Sequence, residues 1–271
     1  MNKVTMLLDN VSYKKNLKHA HGLSLLIEYN NKKILFDTGP NNFFLHNAEQ
    51  LTIDITNLDA VVLSHSHSDH TNGLRYLDTE NQIIYCGKEI DSPKYLRLLG
   101  FDKYVGIPKE VNSCSFSRIL KTTQIYPNIF LIPLKSTNLT TSNLYKLTNH
   151  QKVLDDFSDE LILIIKNANK LTVFTGCSHH GIINILNQVK EEFSNCLIKN
   201  VIGGFHMIGI PYLNNLGMSK KEIKSIGYKL NNFEINHFYT CHCTGLKAFD
   251  LLKPILSHKL NYLSTGDVLY Y

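Results

Sequence analysis

Residues 59 to 74 read Asp-Ala-Val-Val-Leu-Ser-His65-Ser-His67-Ser-Asp69-His70-Thr-Asn-Gly73-Leu. The aliphatic run Ala60 to Leu63 has the length and β-branched content of a buried strand, and at its C-terminal end it delivers three histidines and an aspartate within six positions. Open α/β sheets carry their chemistry at that edge. In extended chain alternate side chains share a face, so His65, His67 and Asp69 fall together, and a turn at Asp69 brings His70 beside them. Imidazole and carboxylate in this mixture suit Zn²⁺, with iron and manganese as alternatives. Burying four such groups without a ligand is costly, which argues against a loop that holds histidines by chance.

Three later strand ends repeat the pattern. They are Gly176-Cys177-Ser178-His179-His180-Gly181, Gly203-Gly204-Phe205-His206 and Cys241-His242-Cys243-Thr244-Gly245. With Leu7-Leu8-Asp9-Asn10, His21-Gly22-Leu23-Ser24 and Phe36-Asp37-Thr38-Gly39, these stretches make the chain resemble the metallo-β-lactamase superfamily. Within it, they resemble the branch of metal-dependent hydrolases that includes the dihydropterin ribofuranosylaminobenzene phosphate synthases of methanopterin biosynthesis. The resemblance covers residues 7 to 245. It implies an α/β (α+β) fold, the four-layer αββα sandwich of two face-to-face sheets with helices outside, formed here by one domain over residues 1 to 271. It also implies a site for one or two metal ions at one edge.

The resemblance further implies a division of labour. His65 and His67 match the first metal site, Asp69 and His70 the second, and His242 the final histidine of the second. A third histidine for the first site is missing from its usual place, where His150 stands alone in a polar loop, and His179 is the better match. Cys177 stands where a bridging aspartate is expected. A thiolate there binds or bridges metal and softens the site, and the alternative is a small buried residue beside the metal. His206 reads as an extra ligand, an acid/base group or a structural residue. Asp37 is expected beneath the site, orienting the metal loop through hydrogen bonds. His21, Asp9 and Asn10 are candidates for supporting or substrate contacts from the first strands. Cys241 and Cys243 pack around His242, with one thiol able to reach metal, since no second cysteine pair exists for a separate zinc site. His19, His46, His150, His237 and His258 read as surface or core residues.

Composition narrows the remaining classes. The chain has 271 residues, 43% of them hydrophobic, enough for a sizeable core. No apolar run reaches the ~18 residues of a membrane span, and the first residues lack the apolar stretch of a signal peptide. Six cysteines are too sparse for a disulfide framework, so a cytoplasmic location with reduced thiols is expected. The net charge of +5 is dispersed in single lysines and short pairs, which gives no support for nucleic acid and suits a small, anionic substrate.

Along the chain, residues 3 to 8 predict a strand, and residues 21 to 29 and 33 to 37 a hairpin turning at Asn30-Asn31. Residues 42 to 51 predict a helix, 71 to 77 a helix behind the metal loop, and 82 to 86 a strand. Asp91-Ser92-Pro93 predicts a helix over residues 94 to 99 that stops at Gly100. Residues 136 to 158 read as a long polar loop, either a plain surface connection or a cover over the site. A second hairpin spans residues 160 to 175, followed by a helix with Ile182, Ile185, Leu186, Val189 and Phe193 inward. Ser219 to Glu222 reads as a capping box, residues 246 to 252 as a helix ending before Pro254, and residues 267 to 270 as the last strand.

Three functions fit. The first is hydrolysis of an ester, lactone or phosphoester by a hydroxide activated on one or, as expected here, two divalent metal ions, with Asp69 and His206 as the proton-handling residues. The second is a transferase of the pterin type that the closer resemblance implies. The third is metal-dependent binding or sensing without turnover.

Overall fold

The computed structural model describes residues 2–80, 82–111, 115–135, 143–210, 213 and 215–271. In chain order its strands are β1 (Lys3–Leu8), β2 (Ser24–Tyr29), β3 (Lys32–Phe36), β4 (Ala60–Val62), β5 (Ile84–Cys86), β6 (Lys94–Leu98), β7 (Phe101–Tyr104), β8 (Phe116–Arg118) and β9 (Thr123–Tyr126). They continue as β10 (Ile129–Pro133), β11 (Leu144–Thr148), β12 (Gln151–Leu154), β13 (Leu161–Asn167), β14 (Lys170–Phe174), β15 (Leu197–Gly203), β16 (His237–Thr240), β17 (Leu260–Tyr262) and β18 (Val268–Tyr270). The α-helices are α1 (Phe43–Gln50), α2 (Ser68–Thr71), α3 (Ile182–Glu192), α4 (Lys220–Asn231) and α5 (Leu246–Leu256).

Two compact units emerge. One comprises residues 1–120, 135–161 and 264–271, the other residues 121–134 and 162–263.

The first unit holds a seven-stranded sheet in the order β18-β1-β2-β3-β4-β5-β8. Its β2–β3 hairpin pairs Tyr29 with Lys32, leaving Asn30 and Asn31 as a two-residue loop at φ 48° and 63°. Both central residues of this turn type need positive φ, which asparagine tolerates. Alternate residues of the strands, including Leu7, Leu26, Leu35, Val61 and Ile84, bury against Phe44 and Ala48 of α1. That packing anchors β4, whose end carries the metal-binding motif. A second, four-stranded sheet runs β12-β11-β6-β7.

The second unit holds a seven-stranded sheet, β17-β16-β15-β14-β13-β10-β9, with β14, β15, β16 and β17 parallel. Ile185, Leu186 and Val189 of α3, Ile223 and Leu230 of α4, and Ala248, Leu252 and Leu256 of α5 bury with Leu171, Val173, Val201 and Phe238 of the sheet. Parallel strands put the C-terminal ends of β14, β15 and β16 at one edge. Those ends carry the cysteine and histidine motifs. Ser219 caps α4 through the expected box, its side chain accepting from the Glu222 N–H while Glu222 reaches back.

Four expectations need correction. The helix expected over residues 94 to 99 is β6, and Gly100 at φ 84° turns the chain into β7. Lys94 is drawn inward by two aspartates and the strand pairs on both sides, so tertiary contacts override the proline signal. The polar stretch 136 to 158 is only partly a loop. Residues 136–142 lie outside the described residues, but β11 and β12 form a hairpin turning at Asn149 and His150, φ 50° and 62°. The helix expected over 71 to 77 is one α-turn, Ser68–Thr71, followed by a 3-10 helix over Asn72–Tyr76. Finally, α5 continues through Pro254 to Leu256. Proline in the last turn forfeits one hydrogen bond there, and burial of Leu252 and Leu256 offsets it.

Candidate metal centre

In the first unit, β4 ends at Val62 and the next residues turn into α2, so His65, His67, Asp69 and His70 fall within one tight loop. His65 and His70 are fully buried, and their rings lie 4.3 Å apart, with His67 4.6 Å from His65. Asp37, at φ 59° just beyond β3, organises this loop from below. Its Oδ1 accepts the Ser64 N–H at 2.7 Å, and its Oδ2 accepts the Ser64 hydroxyl at 2.7 Å and faces His70 Nδ1 at 2.6 Å. With its one proton given to Asp37, the Ser64 hydroxyl accepts from His65 Nδ1 at 2.9 Å. With these partners both histidines carry their proton on Nδ1, which leaves Nε2 as the nitrogen each could offer to a metal.

Backbone contacts lock the same loop. The Thr38 N–H and hydroxyl both donate to the His70 carbonyl, at 2.7 and 3.0 Å. A Cβ at Gly73 would lie 2.1 Å from the Thr38 carbonyl oxygen, so only glycine lets the 3-10 turn pass. His21 Nε2 approaches Asp69 Oδ2 at 3.4 Å, and the Asn10 side chain accepts the neighbouring Gly22 N–H at 3.1 Å. His21 therefore lies against Asp69, and Asn10 braces the turn that carries it. Asp9 is buried, and its Oδ2 accepts from Val11 N–H at 3.0 Å, a local turn contact.

The second unit brings together Cys177, His179, His206, His242 and Cys243. Cys177, His179 and His206 offer ligand atoms within 4.8 Å of one another, as do Cys177, His242 and Cys243. Cys177 belongs to both sets. All five donors sit at or beside left-handed backbone, with Ser178, His206 and His242 at φ 61°, 50° and 43°. Such strain persists only where surroundings enforce it. Here the enforcement is explicit. Ser178 Oγ donates to the Gly204 carbonyl at 2.6 Å, Gly204 N–H donates to the Gly176 carbonyl at 2.9 Å, and Cys243 Sγ donates to the Cys177 carbonyl while accepting the His206 N–H, both at 3.3 Å.

Electrostatics distinguish two of these groups. Burial pushes the His67 imidazole below its usual range, against the opposing pull of Asp69 and Asp155. Burial by itself raises the Cys243 thiol, but hydrogen bonding from the side chains of Cys177 and His206 and the nearby His242 outweigh that and hold it well below the ordinary thiol value.

These residues suit a divalent metal. Imidazole, thiol and carboxylate donors converge, and the buried Nδ1 of His206 has no hydrogen-bond partner among the described residues. His180, Cys241 and the five histidines read as surface or core enter none of the donor groups among the described residues. The sequence reading missed Lys94, Asp155 and Asp159, which are buried around Ser66 and His67. Its available signal was the acidic run Asp155-Asp156-Phe157-Ser158-Asp159-Glu160 inside the polar stretch.

A family profile described as the metallo-beta-lactamase superfamily matches residues 19–136. An uncharacterized protein of Methanocaldococcus jannaschii is 32% identical over 264 residues, covering 93% of this chain and 94% of that protein. The chain belongs to the metallo-β-lactamase superfamily. The solved structure of Tm1679, a metal-dependent hydrolase of the β-lactamase superfamily, superposes with a TM-score of 0.86 at 31% identity, covering 100% of this chain and 99% of that one. The fold is thus the mixed α/β fold of that superfamily. A second M. jannaschii relative, 7,8-dihydropterin-6-methyl-4-(beta-D-ribofuranosyl)-aminobenzene-5'-phosphate synthase, is 28% identical over 288 residues, covering 98% of this chain and 95% of the relative. Among the described residues no helix is long and apolar enough to cross a membrane.

Proposed function

We propose that this superfamily member is a cytoplasmic metal-dependent hydrolase, acting as one metallo-β-lactamase-like domain on a small, anionic ester, lactone or phosphoester. No nucleic acid or membrane takes part in this reading. The observation that carries it is the pair of donor sets, His65/His67/Asp69/His70 and Cys177/His179/His206/His242, all buried except the half-buried Asp69 and His206, each held by its own hydrogen-bond frame. In the first unit His65, His67, Asp69 and His70 would hold a divalent ion, and in the second Cys177, His179 and His242 would. Zinc suits the set best, and iron or manganese are the alternatives.

Bound there, a divalent ion supplies Lewis acidity and a water acidified to near neutral pH. The protein does the rest. Asp69, less buried than its neighbours and close to His21, is placed to take a proton. His206, at the end of β15 with its ring 4.2 Å from that of His179, is placed to deliver one to a leaving group. The N-terminus of α3 follows His179 and His180 after Gly181, with no side-chain cap, and its N–H groups would favour an anionic substrate.

The identity to the pterin synthase favours a second reading, transfer between a pterin and an aminobenzene ribose phosphate. One experiment separates them. Protein purified under reducing conditions is assayed for metal and then offered phosphoesters, lactones and the pterin pair, alongside Asp69→Ala. About two metals per chain and hydrolysis lost in the variant support the first reading. Turnover of the pterin pair alone moves the assignment to the second, and metal without any turnover leaves a binding protein.

A further inference from the structure

The parallel strands of the second unit also have an N-terminal edge, opposite the one that carries the cysteine and histidine motifs. Lys170 opens β14, Leu197 opens β15 two residues before Lys199, His237 opens β16, and His258 and Lys259 immediately precede β17. Lys170 pairs with Leu197, Asn200 with His237 and Phe238 with Leu260, so these strand starts lie side by side. They line one cleft of about 470 Å³. Among the described residues, three lysines and two imidazoles share it with one acid, Glu234. Lys170, Lys199 and Lys259 have no carboxylate partner among the described residues, whereas Lys3, Lys32, Lys94 and Lys146 do. His237 Nδ1 is buried and likewise meets no hydrogen-bond partner among them. That leaves Nε2 as the nitrogen His237 can offer to a ligand.

Ammonium groups gathered in a concave place repel one another, and Glu234 alone does not balance them. A plain solvated surface has no need to bring together positions as distant in sequence as Lys170 and Lys259. An anion held by several of them gains charge-assisted hydrogen bonds, and lysine is a common phosphate binder. Ile198 and Ile235, both buried, and the exposed Leu197 add apolar lining that suits a small organic body. A recess of this size takes one phosphoryl group and its carrier, whereas a nucleic-acid track needs cations along several successive phosphates. We propose that the cleft binds the phosphoryl dianion of a small molecule, with Lys170, Lys199 and Lys259 as its cations and His237 and His258 as further donors. The site is separate from the candidate metal donors Cys177, His206 and His242, which lie beyond the other ends of the same strands.

A titration read at the cleft itself tests this. Protein labelled with ¹⁵N at histidine is titrated with inorganic phosphate at constant ionic strength, with chloride as the balancing anion. The ring resonances of His237 and His258, assigned through His237→Gln and His258→Gln, report binding at this edge and not at the metal donors. Both rings should shift saturably with phosphate and stay put with chloride. Combining Lys199→Gln with Lys259→Gln should weaken the phosphate affinity about tenfold or more while leaving bound metal unchanged. Thermal melts check folding, and Lys170→Gln alone keeps the test alive if the double variant fails to fold. Rings that ignore phosphate, rings that answer chloride equally, or an affinity indifferent to the lysine variants overturn the proposal. So does tighter binding of a thymidine hexanucleotide than of phosphate at the same ionic strength, which would make the edge a nucleic-acid surface. None of these outcomes touches the metal-binding reading, and loss of that reading leaves the cleft to be judged on its own titration.

Discussion

Asp37 uses both carboxylate oxygens, on the Ser64 N–H, the Ser64 hydroxyl and His70 Nδ1, and all three contacts are buried. Replacing it by alanine strands those donors, so Asp37→Ala should cost about 3 kcal/mol in urea unfolding and weaken metal binding. Asp37→Asn should cost less, because asparagine accepts part of the network and tolerates the φ of 59° found there. Equal losses in the two variants would show that the backbone and not the carboxylate matters. Gly204 makes a similarly local argument. A Cβ at this position would lie 2.3 Å from Cys243 Sγ. Gly204→Ala should therefore destabilise by about 1–3 kcal/mol through overpacking, and the double variant with Cys243→Ala should recover much of that. Additive losses in the double variant would mean that the sulfur is not the obstacle.

Elements differ in how plainly the sequence announces them. The β2–β3 hairpin is legible because Asn30-Asn31 is both a composition signal and a backbone requirement, and α3 and α4 because their inward residues recur at helical spacing. The candidate metal-binding loop is legible because its three histidines and its aspartate lie within six residues. The strand β6 is not, because what makes Lys94 a buried strand residue is its contact with Asp155, 61 positions away. The β11–β12 hairpin is hidden for a related reason. Its Lys146 is nearly buried and pairs with Glu89 and Asp156, so a polar sequence is a packed one. That cluster predicts a pH response. The Lys146 hydrogen bond holds Glu89 below its ordinary value, and at Asp156 it outweighs burial to do the same. At Lys146 burial is outweighed in turn, and its pKa rises. Stability from the carboxylates is present above their ordinary values of 4.5 and 3.8 and is lost as pH falls through their lower folded values. Stability from Lys146 is present below 10.5 and is lost as pH climbs through its higher folded value. Urea midpoints should thus fall less for Lys146→Met than for wild type between about pH 6 and pH 3. Parallel falls would remove the cluster from the account.

On the scale of the whole molecule, the proposed ligands are spread from His65 to His242, and no stretch of the unfolded chain gathers them. Metal therefore binds the native state far better than the unfolded one, and loading must stabilise by mass action. At free zinc about a hundred times its dissociation constant the gain is about 2.7 kcal/mol per site. Removing metal with a chelator should lower the melting temperature accordingly, and zinc should restore it. Magnesium at the same concentration should not, because imidazole and thiol donors suit borderline metals and not a hard cation that keeps its water. Rescue by magnesium as complete as by zinc would mean that the carboxylates, and not the histidines and Cys177, dominate the site. A melting temperature indifferent to chelator and to both ions would show that the donors converge for packing alone, and the hydrolytic reading would fall with them.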